Sequence, residues 1–201
     1  MASSRPSQKG ATPAAGIVLR TPLGWVAAAA RGGRVRAVSL PAPTAEAARR
    51  EVLTEADFSR QEEVLLGLAE DLRRYFAGDP VDLRRYPVDL FDLPPFFRRA
   101  LLAARNIPYG QTKSYGWVAA RAGSPAAARA AGQAMARNPI PLVVPCHRVL
   151  GAAGALTGFG GGLATKRALL ELEGVACDRT RLLPEARARR ASCGKPRRGG
   201  V

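Results

Sequence analysis

The chain has 201 residues, 47% of them hydrophobic, with a formal net charge of +15 and a single histidine. That length suits one large domain or two small ones; no stretch approaches the roughly 18 apolar residues of a membrane span, and the N-terminus lacks an apolar signal-peptide core. Cys146, Cys177 and Cys193 are odd in number and widely spaced, which excludes a disulfide framework and points to a reducing, cytoplasmic setting, while one histidine without a CxxC pair excludes a conventional zinc site.

In chain order, residues 1–15 form a lead-in of Ser, Pro, Gly and Ala that reads as disordered. The segment "GIVLRTPLGWVAAAARGGRVRAVSL" alternates apolar and polar residues around Gly32-Gly33, a hairpin signal. Residues 46–77 carry helical periodicity through Val64, Leu65, Leu68, Leu72 and Phe76, and Gly78 can stop that helix. Residues 79–95 hold four prolines and alternate in "VDLRRYPVDLFDLPP", so they read as a strand and then a linker. These elements make a small α/β unit over 16–92.

The texture changes at Phe96. "PFFRRALLAARNIPYG" is an amphipathic helix closed by Pro108 and Gly110. "SYGWVAARAGSPAAARAAGQAMARNP" gives two short Ala-rich helices. Gly123 ends the first, and Ser124-Pro125 can begin the second as N-cap and first turn. Helix, tight turn, helix is the helix-turn-helix arrangement, although Ala-rich pairs also serve as plain packing. "LTGFGGGLATKRALLELEG" is a glycine-rich loop opening a helix that ends at Gly174, completing a second unit over 96–176. Charge divides along the same line. Residues 21–95 carry 10 basic and 12 acidic side chains, residues 96–174 carry 10 and 2, and residues 187–201 add six Lys or Arg and no acid. A basic half beside a near-neutral one suggests a polyanion partner, most simply nucleic acid; an Arg-rich proteome bias is the other source of such a charge.

The lone histidine lies in "PIPLVVPCHRV", directly after Cys146. A cysteine is nucleophilic as thiolate, and cations or a histidine beside it lower its pKa. Pro139, Pro141 and Pro145 stiffen the approach and oppose helix. Most free cysteines are buried and inert; the adjacent imidazole and the basic surroundings favour a reactive one here. Side chains at i and i+1 tend to point apart, so His147 reaches the sulfur through a water or a turn, and a third group should orient the ring. The only acids in this half are Glu171 and Glu173. One of the two orients His147; a solvated surface charge, the alternative for a helix-end glutamate, fits Glu171 better.

"PCHRV", preceded by "NPIPLVV" and followed by "GFGGGLATKRALLELEG", resembles the O6-alkylguanine-DNA alkyltransferases, and the likeness extends over 96–174 through "IPYGQTKSYGWVA" and "SPAAARAAGQAMARNP". The resemblance implies a ribonuclease H-like α/β N-terminal domain, then a mainly α, winged-helix-like domain with the helix-turn-helix. It implies repair of double-stranded DNA containing alkylated guanine by a monomer with no metal or organic cofactor. The alkyl group would pass from guanine O6, and also from thymine O4, irreversibly to Cys146, once per molecule. His147 would be the base, acting through water, with Glu173 holding it. Asn138 would brace the turn, and Tyr115 would give a proton toward the departing guanine. Arg129 would enter the base stack, with Ala128, Ala130, Gly132, Ser124 and Arg148 at the DNA. Met135, Val149, Phe159, Gly160 and Gly161 would line the pocket, and Lys166 would support the loop and the leaving base. An O6 substituent points into the duplex, so the base has to leave the stack, at a cost of a few kcal/mol. Small residues around Arg129 let a helix approach the backbone closely, and phosphates supply most of the affinity. The loop carries Phe159 and Gly160 where some members have tyrosine and a hydroxyl residue, so a roomier pocket for larger alkyl groups is expected. Two rivals stand beside this reading. A non-catalytic sensor of alkylated guanine would replace the acceptor cysteine, which is present. A cysteine hydrolase explains neither the helix pair nor the charge asymmetry.

Overall fold

The Gly32-Gly33 signal becomes the second turn of a three-stranded antiparallel meander. Strand β1 (Ala15–Thr21) pairs with β2 (Gly24–Arg31), and β2 pairs with β3 (Arg34–Val38), with Arg31 opposite Arg34 at the turn. Gly32 and Gly33 take φ of +59° and +72°, the left-handed pair that a two-residue hairpin loop requires. The computed structural model describes residues 14–52, 56–178 and 181–182. The lead-in up to residue 13, Cys193 and the basic stretch 187–201 lie outside these residues. The first strand begins at Ala15, one residue inside the expected lead-in.

Strand β2 is covered on both faces. Val26, Ala28 and Ala30 join the main core, whereas Ala27 and Ala29 pack with Ala48 and Val52 beneath helix α1 (Ala45–Glu51). The alanine run follows from this position, because methyl groups let α1 lie close to the sheet. Thr44 caps α1, its hydroxyl accepting from the Ala47 N–H at 3.1 Å. Helix α2 (Glu63–Phe76) buries Leu65, Leu68, Leu72, Tyr75 and Phe76, so the periodic stretch is two helices instead of one.

The strand expected within residues 79–95 is not formed. Asp82 instead accepts from the Arg84 N–H and closes a short 3-10 turn over Leu83–Arg85. Pro80 and Pro87 have no N–H to offer a ladder. A single parallel bridge remains, Val35 to Val88, along the outer edge of β3.

Helix α3 (Pro95–Arg105), with proline in its first turn, packs against α4 (Tyr115–Arg121) and α5 (Ala128–Ala136). Ser114 caps α4 by accepting from the Trp117 N–H at 3.1 Å. Ser124 does not cap α5. Its N–H bonds the Ala119 carbonyl at 2.9 Å while Gly123, at φ +83°, bonds Ala120 at 3.0 Å. That pairing is a Schellman close of α4, and it leaves Ala127 at the start of α5 with no side-chain cap. Strand β4 (Lys113–Ser114) runs parallel to β5 (Val149–Leu150), which ties the start of α4 to the residues just after Cys146. Helix α6 (Gly162–Leu172) closes the unit, and Leu182 returns to pack with Leu150, Leu156, Leu170 and Val175.

Gly24 is the tightest backbone position in the meander. It sits at φ +130°, and a Cβ there would lie 2.6 Å from the Ala42 carbonyl oxygen. Gly24→Ala is expected to lower stability by about 3 kcal/mol, combining overpacking with the left-handed penalty. Urea unfolding of the two proteins measures this directly.

Candidate active site

Cys146, His147 and Arg148 form one 3-10 turn, and all three are buried. The turn is mounted on the proline-rich approach. Val144 N–H bonds the Ile140 carbonyl at 2.8 Å, and Leu142 between them takes φ +72° while 2% exposed. Asn138 braces both ends of this bend. Its Oδ1 accepts from the Ile140 N–H at 3.0 Å, and its Nδ2 donates to the Val144 carbonyl at 2.8 Å. The Cys146 N–H bonds that same carbonyl at 2.8 Å, so the amide of Asn138 and the backbone of Cys146 share one acceptor.

Glu173 lies just past the end of α6 with its carboxylate fully enclosed. Its Oε1 lies 2.8 Å from His147 Nε2 and accepts from Arg148 at 2.8 Å and from the Tyr75 hydroxyl at 2.8 Å. Its Oε2 accepts from Arg148 Nε at 2.8 Å and from the Gly110 N–H at 3.0 Å. Burial alone would raise this carboxyl, but His147 and Arg148 together hold it well below the usual carboxylate range. An ionised carboxylate can only accept, so His147 Nε2 carries the proton and Nδ1 carries the lone pair. Nδ1 has no protein partner and is free to take a proton. Burial also pushes the His147 pKa down, against the pull of Glu173, so the ring is neutral near pH 7. Burial raises the Cys146 thiol, with Asn138 and Lys166 opposing it. The resting pair is thus thiol and neutral imidazole, not the preformed thiolate that the adjacent cations suggest.

An open groove of about 1090 Å³ is lined by neither Cys146, His147 nor Arg148; Tyr115, which interacts with Cys146, stands in its wall. One wall is α5, through Ala128, Arg129, Gly132, Gln133 and Ala136; the other is the loop from Ala152 to Gly160, with Ser114, Tyr115 and Gly116 at its end. Arg129 is exposed, and the opposite face of α5 buries Ala131, Ala134 and Met135. Tyr115 is close enough to Cys146 for their charges to interact, and burial raises its hydroxyl pKa. Lys166 is fully buried, donating to the Val149 carbonyl at 2.7 Å and to Thr157 at 3.0 Å, with burial lowering its pKa to about 8.

Several expected residues stand elsewhere. Arg148, expected at the DNA, is not on the surface: it is 7% exposed, and its guanidinium is engaged by Glu173 and the Ile107 carbonyl, because an ionised carboxylate at this depth needs a cation. Ser124 is held in the α4 close, and neither it nor Ala130 lines the groove. Met135 and Val149 pack with Cys146 in the core instead of forming the groove wall. Gly161 stands behind the loop, where a Cβ would meet Leu40 Cδ1 at 2.7 Å, whereas a Cβ on Gly160 meets nothing within 4 Å. Glu171 is exposed and pairs with Arg167, which leaves Glu173 as the acid on His147. Sequence reasoning missed Tyr75. The sole hint was an aromatic on the buried stripe of α2, which periodicity assigns to packing.

The family model for the DNA-binding domain of 6-O-methylguanine DNA methyltransferase matches residues 95–175. The methylated-DNA–protein-cysteine methyltransferase of Methanosarcina acetivorans is 45% identical over 114 residues, which cover 56% of this chain and 71% of that protein. The chain belongs to the methylated-DNA–protein-cysteine methyltransferase family. The Mycobacterium tuberculosis member is 52% identical over 109 residues, which cover 53% of this chain and 64% of the relative. Thus the aligned part spans somewhat less than two thirds of the mycobacterial methyltransferases it matches. The crystal structure of the M. tuberculosis O6-methylguanine methyltransferase superposes with a TM-score of 0.63 at 38% identity, covering 80% of this chain and 92% of that one. A second M. tuberculosis structure, in complex with DNA, superposes at 0.65 with 37% identity, covering 79% and 91%. Like these methyltransferases, the chain mixes helix and sheet, and no helix among its described residues is long and apolar enough to cross a membrane.

The buried Glu173–Arg148 pair gives this methyltransferase fold a measurable dependence. Glu173→Gln leaves the Arg148 cation buried without its anion, and a loss of about 3–5 kcal/mol is expected. The sign with pH follows. The folded carboxyl is depressed, so its contribution is present above the unfolded glutamate pKa and fades as pH falls toward the folded one. Acid titration of stability should accordingly be steeper for the native protein than for Glu173→Gln.

Proposed function

We propose that this chain repairs alkylated DNA by moving an alkyl group from guanine O6 to its own Cys146. The observation that carries the reading is the buried Cys146 turn, with His147 poised by Glu173, and Tyr115 standing between the sulfur and the Arg129-lined groove. The base swings out of the stack, and Arg129, exposed on α5, takes its place. Proton transfer runs from Cys146 to His147 Nδ1 through a bridging water. The sulfur then attacks the alkyl carbon: an S–C bond forms, the C–O6 bond breaks, and the electron pair leaves on guanine. Tyr115, its hydroxyl kept protonated by burial, gives a proton to the departing base. The product is a thioether that no neighbouring group can cleave, so each molecule acts once. Thymine O4 presents the same alkyl–oxygen bond and is a second substrate. The names of the M. tuberculosis and Methanosarcina relatives support this activity, and the DNA complex of the former supports duplex DNA as partner. In finer terms the chain pairs a ribonuclease H-like unit over 16–92 with a winged-helix-like one over 96–176, in a cytoplasmic monomer.

The test is intact-mass analysis after mixing with a duplex carrying O6-methylguanine. A gain of one methyl on the Cys146 peptide is expected; tight binding with no mass gain would overturn the reading. Cys146→Ala should abolish transfer and keep DNA affinity. Arg129→Ala should weaken binding to the lesion more than to undamaged duplex.

Loop size carries a separate expectation. Gly160 faces open space, so Gly160→Tyr narrows the groove without disturbing the fold. Transfer from O6-benzylguanine should then fall by a larger factor than transfer from O6-methylguanine. Equal losses would place the size limit elsewhere. Enlarging Gly161 would confuse the comparison, because Leu40 blocks it.

A further inference from the structure

The structure assigns Tyr75, on the N-terminal helix α2, as a positioning residue for the His147–Glu173 pair, which makes the N-terminal unit a working part of the reaction centre. This rests on the alkyl-transfer reading above and names a group that neither the resemblance nor the family match contains, since that match begins at residue 95. Tyr75 is 1% exposed. Its hydroxyl donates to Glu173 Oε1 at 2.8 Å, the same oxygen that receives His147 Nε2, and its oxygen stands 3.4 Å from that nitrogen. A tyrosine needed for packing alone would be equally served by phenylalanine.

The surroundings hold this hydroxyl in place. Tyr109 meets the Tyr75 ring edge-on, with centroids 6.0 Å apart. Its own hydroxyl reaches the Gly78 carbonyl, just past α2, at 3.1 Å and the Leu172 carbonyl, beside Glu173, at 2.9 Å. Two tyrosines therefore clasp the ends of α2 and α6 together around the carboxylate. Burial and the facing Glu173 keep the Tyr75 proton on its oxygen, so the group is a donor throughout the useful pH range.

The charged and titratable groups facing the pair are Arg148 from the 3-10 turn, Lys166 from α6, Tyr75 from α2, Tyr109 from the loop after α3, and Cys146. Among them Tyr75 and Arg148 compete with His147 for Glu173 Oε1. Removing the Tyr75 hydroxyl leaves the carboxylate more negative toward Nε2–H, which favours the protonated ring. The same change removes a lone pair 3.4 Å from Nε2, which acts oppositely. The 2.8 Å bond to the carboxylate is the stronger of the two, since a charge-assisted bond outweighs a long, neutral one. The ring is then easier to protonate, and neutral His147 is what the transfer step requires.

The experiment is the pH profile of single-turnover methyl transfer for the full chain, Tyr75→Phe and Tyr86→Phe. Tyr86 is a matched control: its buried hydroxyl donates to Asp71, also on α2, at 2.8 Å, away from the relay. In Tyr75→Phe the midpoint of the acid limb should rise by about half a pH unit to one unit, with affinity for a methylated duplex unchanged. Tyr86→Phe should lower the thermal midpoint and leave the acid limb where it is. Superposition of the Tyr75→Phe and native profiles would overturn the assignment, as would an equal shift in Tyr86→Phe. If the native chain gains no methyl at all, the transfer reading itself fails, and the two failures are distinct.

Discussion

A carboxylate with no solvent contact organises this molecule. Glu173 could not remain ionised at that depth without Arg148, and Arg148 could not be buried without Glu173. The requirement to satisfy both draws in the Gly110 N–H, the Ile107 carbonyl, Tyr75 and His147, which arrive from separate parts of the chain. The imidazole inherits its tautomer from this arrangement, because an anion that can only accept fixes the proton on the facing nitrogen. Which ring nitrogen is left with a lone pair is thus determined at the far side of the imidazole, by Glu173 and the groups that hold it.

This changes how the sulfur is understood. Adjacent Arg and His in sequence suggest a thiol whose pKa is lowered by local charge. In three dimensions Arg148 is already neutralised by Glu173, and burial keeps the thiol protonated. A buried, protonated thiol is a poor target for oxidants and stray electrophiles, because the thiolate is the reactive form. Stiffness supplies what standing charge does not: the proline-flanked bend, Leu142 at positive φ and the Asn138 brace hold Cys146 in one place.

Much of this was legible in the sequence, for identifiable reasons. Glycine pairs, caps and helical stripes are local signals, and so the Gly32-Gly33 turn, α2, α3, α4 and α6 could be read directly. So could the Cys-His turn, because three prolines and a lone histidine have few other uses. The failures are of two kinds: local competition for a backbone or capping group, and partners far away in sequence. The strand expected within residues 79–95 gave way to a turn in which Asp82 takes the Arg84 N–H, leaving a single bridge at Val88. Ser124 had two helix ends to serve and was claimed by the earlier one. Arg148 read as a surface cation because its partner lies 25 positions away. Tyr75 was invisible for the same reason, its acceptor being 98 residues distant.

The return of Leu182 has a consequence of its own. That side chain lies against Gly154 and the small cluster of Leu150, Leu156, Leu170 and Val175, and its N–H bonds the Gly154 carbonyl at 3.1 Å. The loop from Ala152 to Gly160 is therefore propped from behind by chain that follows α6. A substitution at Leu182 can therefore tighten or slacken one wall of the groove while Cys146, His147 and Glu173 keep all their partners.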